Sequence, residues 1–357
     1  MNDIYGRDYL ALPIVQYGVF GFELKQAVWT EIMKALVLEG IKKIRVSDVK
    51  IPVCGADETL LKVSYCSVCR TDAKMWFQGQ RDLVLPRILG HEVCGIKIDS
   101  REHFLIWPAY SCNNCHYCKS GAENLCNDIQ IIGFHRDGGF AQYVKAPERS
   151  LIKIPETVPP EIACMTELLS SAVNAIEQVD LQKNQKVLVF GGGPAGIMLG
   201  LACKFFGAEP FIVENNPQKL EKTTLLCKKA DINISAAAAL DKFDVAINAA
   251  PDANTLATGI FKLKKGGKYC LFSGFTKNVN IPGDLLNEVH YRQLTIIGAY
   301  GSTKRQMETA LKILENNSQT VRLLIHKIIN LESVPAVLPE IVSGRTLKYV
   351  VDMREGE

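Results

Sequence analysis

No apolar run in this chain approaches the ~20 residues needed to cross a bilayer as a helix, and no block of like charge forms a basic stripe. The first absence argues against a membrane-spanning protein. The second, with a formal charge of +3 spread over 357 residues, gives nucleic acid no electrostatic footprint. Internal repeats and low-complexity tracts are also missing, which excludes a repeat array or a linker-dominated chain. No secretion signal is expected: residues 9–29 are fairly apolar, but Asp3 and Asp8 stand where such a signal carries positive charge, and Glu23 and Lys25 interrupt the stretch. The twelve cysteines are therefore expected as reduced thiols in the cytoplasm, since disulfide-rich secreted proteins are usually short.

What remains is an ordinary globular composition, 47% hydrophobic and 22% charged, long enough for about two domains at ~150 residues each. Residues 1–32 precede the first clean strand, Met33 to Gly40, and read as an N-terminal extension. Short strands punctuated by Gly and Pro follow to about residue 155, and Val158-Pro-Pro-Glu161 opens a helical segment to about Val179. From Lys186 the texture changes. Val187-Leu-Val-Phe190 is a continuous apolar run, as expected of a strand buried on both faces. A helix from Ile197 to Phe206, a second strand at Phe211–Val213, and strands at Asp244–Asn248 and Lys268–Ser273 predict βαβ units in a doubly wound parallel sheet. A helix from Arg305 to Glu315 and a closing strand, Leu347–Asp352, end the chain.

Gly191-Gly-Gly193-Pro-Ala-Gly196 fits G-x-G-x-x-G. The pattern is weak alone, but here it follows a buried strand and opens a helix. Gly191 permits the tight turn, Gly193 lets a pyrophosphate approach the backbone, and Gly196 allows close helix–strand packing; Pro194 and Ala195 start a helix whose free N–H groups face the phosphates. Glu214 ends the second strand, where a carboxylate accepts hydrogen bonds from the adenosine ribose and repels a 2′-phosphate. Asn215 and Asn216 bring no compensating positive charge, so NAD is expected over NADP.

Cys112, Cys115, Cys118 and Cys126 follow C-x2-C-x2-C-x7-C. Four thiolates can close a tetrahedral shell and leave no open position, the mark of a structural zinc. Disulfides are disfavoured by compartment, and the common iron–sulfur spacings differ. A second constellation is dispersed. Cys69-Arg70-Thr71-Asp72 follows a strand, and Gly90-His91-Glu92 comes about twenty residues later. Three protein ligands with one open position make a catalytic zinc, but spacing leaves Cys66 as a rival to Cys69 and Glu92 as a rival carboxylate beside His91.

In combination these motifs resemble the zinc-containing medium-chain dehydrogenases, the family of alcohol, polyol and threonine dehydrogenases. The likeness runs from Met33 to the C-terminus and includes Asp137-Gly-Gly-Phe-Ala-Gln-Tyr143. It implies a GroES-like β-rich catalytic domain, residues 33–160 and 305–357, with a Rossmann domain, residues 161–304, inserted in it. It implies Cys69 and His91 as ligands of a catalytic zinc, with Glu167 of Glu167-Leu-Leu-Ser170 as the third ligand in preference to Cys164. Glu167 lies 24 residues before Gly191, where the polyol and threonine branch places it. Glu92 resembles the residue behind the metal, Asp72 the carboxylate that orients the histidine, and Thr71 the hydroxyl that passes the substrate proton outward. Arg70 and Lys348 resemble residues that meet the pyrophosphate.

The resemblance further implies two zinc ions, NAD, a homodimer or homotetramer, and hydride transfer at a secondary hydroxyl of a polyol, cyclitol, amino alcohol or sugar derivative. Two alternatives differ from that expectation: an NADPH-dependent carbonyl reductase of the same fold, and a non-catalytic zinc-stabilised nucleotide-binding protein. The chain departs from the family in three places. Lys74 stands near the position where the proton relay often ends at a histidine. The stretch from Gly95 to Ile106 is trimmed. The segment around His290 and Arg292 looks closer to sugar and cyclitol enzymes.

Overall fold

A computed structural model of the chain describes residues 32–238, 242–275 and 280–354. The extension expected over residues 1–32 thus lies, but for its last residue, outside the described residues. The first strand, Ile32–Gly40, buries Met33, Ala35, Leu36 and Leu38 and pairs antiparallel with Lys43–Lys50.

The centre of the first half is the long strand Glu58–Val68. Its last six residues are all buried, because other strands flank it on both edges. Glu92–Lys97 pairs with it antiparallel on one side, with Ser67 opposite Glu92. The C-terminal strand Lys348–Asp352 pairs with it on the other, with Val68 opposite Tyr349. The seven-stranded sheet runs in the order Leu151–Lys153, His103–Ile106, Glu92–Lys97, Glu58–Val68, Lys348–Asp352, Ile325–Ile329, and Tyr143–Pro147 pairs with the start of the long strand. The tail therefore closes the sheet begun by the N-terminal part. It also holds a strand, Ile325–Ile329, and a helix, Val334–Ser343, that the sequence reading did not separate.

The second sheet has six parallel strands. In space they run Asn233–Ser235, Glu209–Val213, Lys186–Phe190, Phe243–Asn248, Leu263–Leu271, Thr295–Gly298. Numbered by sequence within the sheet this is 3-2-1-4-5-6, the doubly wound order whose direction reverses beside strand 1. The expected strands are all present with shifted ends. Val187, Leu188 and Val189 are completely buried, each contributing roughly 1.5–3 kcal/mol by leaving water, which accounts for the central place of their strand.

The helical segment expected to run unbroken to Val179 is two helices, Pro160–Ala163 and Thr166–Gln178. Cys164 and Met165, with ψ of −21° and 0°, redirect the chain between them. The helix expected from Arg305 to Glu315 is longer, Lys304–Val321, and begins with a capping box formed by Thr303 and Gln306. One apolar cluster joins Tyr65, Leu105 and Trp107 of the first sheet, Leu169, Val173 and Ile176 of the helix Thr166–Gln178, and Val187 and Ile247 of the parallel sheet. The two sheets share a core through that helix.

Candidate active site

The long strand ends at Cys69, which caps the helix Arg70–Gln78. The Cys69 N–H donates to Asp72 Oδ2 at 2.8 Å, and Asp72 Oδ1 accepts from the Gly90 N–H at 3.3 Å and lies 3.3 Å from His91 Nδ1. Asp72 is completely buried. One carboxylate thus ties the Cys69 turn to the Gly90-His91 segment, and strand pairing sets Glu92 opposite Ser67. The outcome is a cluster in which donor atoms of Cys69, His91 and Glu92 all lie within 4.8 Å of one another. Ligands held about 2.0–2.3 Å from one zinc ion must be about that close. Burial opposes protonation of His91, but the charges of Asp72 and Cys69 outweigh it and lift the imidazole pKa well above its ordinary value.

Glu167, expected as the third ligand, is not among the three whose donor atoms lie this close, and Glu92 is. The physical reason is register. Glu92 is fixed at the start of a strand paired beside Cys69, whereas Glu167 enters from the first turn of a helix in the other half of the chain. Glu167 is nonetheless buried, and among the described residues no hydrogen bond or ion pair reaches its carboxylate. Burial pushes its pKa up to about 7, while His91 and Lys348 pull it down and Glu92 pushes it further up. A half-buried thiol, a buried imidazole and two buried carboxylates, one of them without a partner among the described residues, form a donor set that fits zinc.

Lys348 also differs from expectation. Its ammonium lies 2.5 and 2.7 Å from the two Glu92 oxygens and 3.3 Å from the Val68 carbonyl. Lys348 lines the nucleotide cleft, but its charge is committed to Glu92 rather than offered to a phosphate. Burial lowers its pKa, and Glu92 and Cys69 more than reverse that.

The four-cysteine lobe is compact. Cys115 Sγ is 3.5 Å and Cys112 Sγ 3.9 Å from Cys118 Sγ, and Cys126 Sγ accepts from the Cys112 N–H at 3.2 Å. All four sulfurs lie within 4.8 Å of one another. A tetrahedron with Zn–S of ~2.3 Å has edges of about 3.8 Å, so this spacing suits one ion. Backbone N–H groups of Cys118 and Asn127 pull the Cys115 thiol down to about 6. Burial and hydrogen bonds to neighbouring sulfurs push Cys118 up to about 12.

The glycine turn borders a cleft of about 330 Å³ that runs from Gly191, Gly193 and Glu214 to Cys69 and Arg70. Gly191 takes a φ of 107°, open to glycine far more readily than to other residues. A Cβ on Gly196 would stand 1.8 Å from the Gly191 carbonyl oxygen. The third glycine is therefore required first by the turn itself, and helix–strand packing, with Val189 Cγ1 at 3.6 Å, comes second. A Cβ on Gly193 would meet only Lys219 Nζ, at 3.8 Å, so this backbone is open to the cleft. Glu214 is buried and accepts from the Gly192 and Asn216 N–H groups, both at 2.9 Å. Lys219 Nζ lies 3.1 Å from the same carboxylate. The compensating positive charge missing at Asn215 and Asn216 is supplied from the next turn.

Residues 55–156 match the family model of the alcohol dehydrogenase GroES-like domain. An uncharacterised zinc-type alcohol dehydrogenase-like protein of Haemophilus influenzae is 26% identical over 331 residues, 87% of this chain and 95% of that protein. D-xylulose reductase A of Aspergillus oryzae is 26% identical, covering 89% of this chain and 96% of its own length. A zinc-binding dehydrogenase of Sinorhizobium meliloti, whose crystal structure holds NADP, superposes with a TM-score of 0.81 at 26% identity over 90% of this chain and 99% of its own. Over most of its length the chain is similar to zinc-type dehydrogenases.

Against this dehydrogenase frame the remaining candidates sort by position. Arg70, exposed at the start of its helix, lines the cleft beside Gly344. Thr71 follows it in the same first turn, and Lys74 lies one turn on, its pKa lowered by burial and then by the Arg70 charge. Cys66 faces Gly90 and Gly139 in the core and stays outside the donor cluster. Cys164 is buried, its thiol donating to the Glu161 carbonyl at 3.4 Å. Arg292 bonds the Ile260 and Leu263 carbonyls and Glu288, which makes it a packing residue, and His290 is exposed beside Tyr291. Lys219 was missed by the sequence reading. Its signal was its place in the first turn of a helix begun by Asn216, five residues after Glu214. Among the described residues no helix is long and apolar enough to cross a membrane.

Proposed function

We propose that this protein is an NAD-dependent dehydrogenase that moves a hydride between the cofactor and the secondary alcohol or ketone of a polyol, cyclitol, amino alcohol or sugar derivative. The observation that carries the reading is that one cleft joins the glycine turn to Cys69 of the donor cluster. The relatives named above are consistent with it.

In this reading Cys69, His91 and Glu167 hold a catalytic zinc, with Glu92, whose two oxygens are held by Lys348, behind it. Cys112, Cys115, Cys118 and Cys126 hold a structural one. A zinc ion at the first site supplies Lewis-acid polarisation of the substrate oxygen. The rest is the work of the chain. Asp72 orients His91. Arg70 and the N-terminus of the helix Pro194–Phe205 receive the pyrophosphate. Glu214 accepts hydrogen bonds from the adenosine ribose. Thr71 carries the hydroxyl proton outward, toward Lys74. Catalytic and nucleotide domains divide near residues 160 and 305, with the cleft at their junction.

Lys219 supports a second reading, since a cation beside Glu214 reduces the repulsion of a 2′-phosphate, and NADP use follows if that effect prevails. A homodimer is proposed through the parallel sheet's outer strand, Thr295–Gly298, whose free edge carries Ile296 exposed, with Tyr291 exposed nearby.

The test is formation of reduced nicotinamide by purified protein with NAD, then NADP, across these alcohol classes, before and after zinc removal. Zinc-dependent reduction with NAD and one class supports the reading. Silence with both cofactors, repeated with carbonyl substrates and the reduced cofactors, turns it toward a non-catalytic nucleotide-binding protein.

A further inference from the structure

The segment that leaves the parallel sheet at Gly298 and enters the helix Lys304–Val321 is held at three successive carbonyls. Asn124 Nδ2 donates to Tyr300 O at 2.9 Å, Asn174 Nδ2 to Gly301 O at 2.9 Å, and Trp107 Nε1 to Ser302 O at 2.9 Å. Asn174, Trp107 and Ser302 are buried. Buried polar groups are costly unless bonded, and here the bonds bring together three parts of the chain far apart in sequence.

The direction of the bonds follows from counting protons. Ser170 Oγ lies 2.6 Å from the Glu167 carbonyl oxygen and 2.7 Å from Ser302 Oγ. A hydroxyl has one proton. The carbonyl can only accept, so Ser170 donates to Glu167 O, and Ser302 must then donate to Ser170. The Trp107 indole holds the Ser302 carbonyl, the Ser302 hydroxyl donates to Ser170, and Ser170 donates to the Glu167 carbonyl. Asn174, one helical turn beyond Ser170, fastens the same helix to Gly301. Among the described residues no side chain bonds the Glu167 carboxylate, so it is aimed by the placement of this helix turn.

We propose that Ser170, Ser302 and Trp107 are positioning residues that hold the first turn of the helix Thr166–Gln178 so that Glu167 faces Cys69, His91 and Glu92. The proposal rests on the zinc reading of that cluster. It is distinct from the ligand set, because none of the three residues touches the metal site.

The test compares Ser170→Ala, Ser170→Thr and Ser302→Ala in the full chain, with zinc and with cobalt(II) in its place. The difference between the cobalt spectra of the unaltered protein and Cys69→Ala isolates the site that Cys69 serves. Ser170→Ala is expected to shift those bands and lower kcat about tenfold, with the KM for NAD and the melting temperature unchanged. Ser302→Ala moves both readouts in the same direction, and Ser170→Thr, which keeps the hydroxyl, restores them. Unchanged bands and kcat in Ser170→Ala, or a loss that Ser170→Thr does not restore, overturn the proposal. If the cobalt spectrum of the unaltered protein matches that of Cys69→Ala, the zinc reading has failed and the proposal falls with it, a result visible before any serine variant is made.

Discussion

Lys348 Nζ stands within hydrogen-bonding distance of both carboxylate oxygens of Glu92, at 2.5 and 2.7 Å, with the two side chains 5% and 0% exposed. They reach each other across the end of the central strand, one from the C-terminal strand and one from Glu92–Lys97. A pair this deep is costly to form and more costly to break, because removing one partner leaves the other charge buried alone. Lys348→Met is expected to destabilise the metal-free protein by about 3–5 kcal/mol. Adding Glu92→Gln should recover much of that loss. Urea unfolding of both single variants and the double variant checks it, and strict additivity would show that the two groups do not interact.

Metal content separates the two clusters. The unaltered protein is expected to carry two zinc ions per chain. Cys69→Ala should lose one, along with turnover, while its melting temperature changes little. Cys115→Ser should lose the other and melt earlier, since a closed thiolate shell contributes folding energy. Atomic absorption and thermal melts decide the matter. Loss of both ions in Cys69→Ala would contradict two independent sites.

Cofactor choice turns on Glu214 and Lys219, 3.1 Å apart. Glu214→Gln removes the charge and keeps an acceptor for only one of the Gly192 and Asn216 N–H groups, which Glu214 bonds through separate oxygens. The NAD-to-NADP ratio of kcat/KM should fall about tenfold, which is about 1.4 kcal/mol. Lys219→Ala should raise the ratio by exposing an incoming 2′-phosphate to the uncompensated carboxylate. Steady-state kinetics with both cofactors gives the two ratios, and equal ratios in all three proteins would move selectivity elsewhere in the cleft.

An acid-sensitive joint links the helix carrying Glu167 to the helix Lys304–Val321. Glu177 receives Arg305 Nη1 and Nη2 at 2.9 and 2.6 Å and Gln306 Nε2 at 2.7 Å. Burial pushes its carboxyl up, but these bonds and the Arg305 charge outweigh it and leave the pKa below its ordinary 4.5. A carboxyl held lower in the folded state stabilises fully above its ordinary value and loses that contribution as pH falls through the folded one. Glu177→Gln should therefore melt earlier than the unaltered protein at neutral pH, and the gap should close in acid below 4.5. A gap independent of pH would remove the charge from the account.

Much of the architecture was legible along the chain, because its signals are local. The buried run at Val187–Phe190, the glycine turn behind it and the closely spaced cysteines each need only a short stretch of residues. Boundaries were less legible. The break at Cys164–Met165 leaves no mark in periodicity, and the helix from Lys304 outlasts the apolar pattern that announced it.

The two kinds of sheet, the cysteine lobe and the place of the dinucleotide turn are legible in the residues themselves, while Cys69 and His91 were singled out from their rivals only by a family resemblance. Turn chemistry, hydrophobic period and ligand spacing act over a few residues and are written in order. That Glu92 lies beside Cys69 and His91, what Lys348 neutralises and which cation stands beside Glu214 emerge only in the folded chain. Those are properties of strand register and helix placement, in which groups distant in sequence meet because their backbones are paired or packed. A buried charge takes whichever partner that geometry brings within reach.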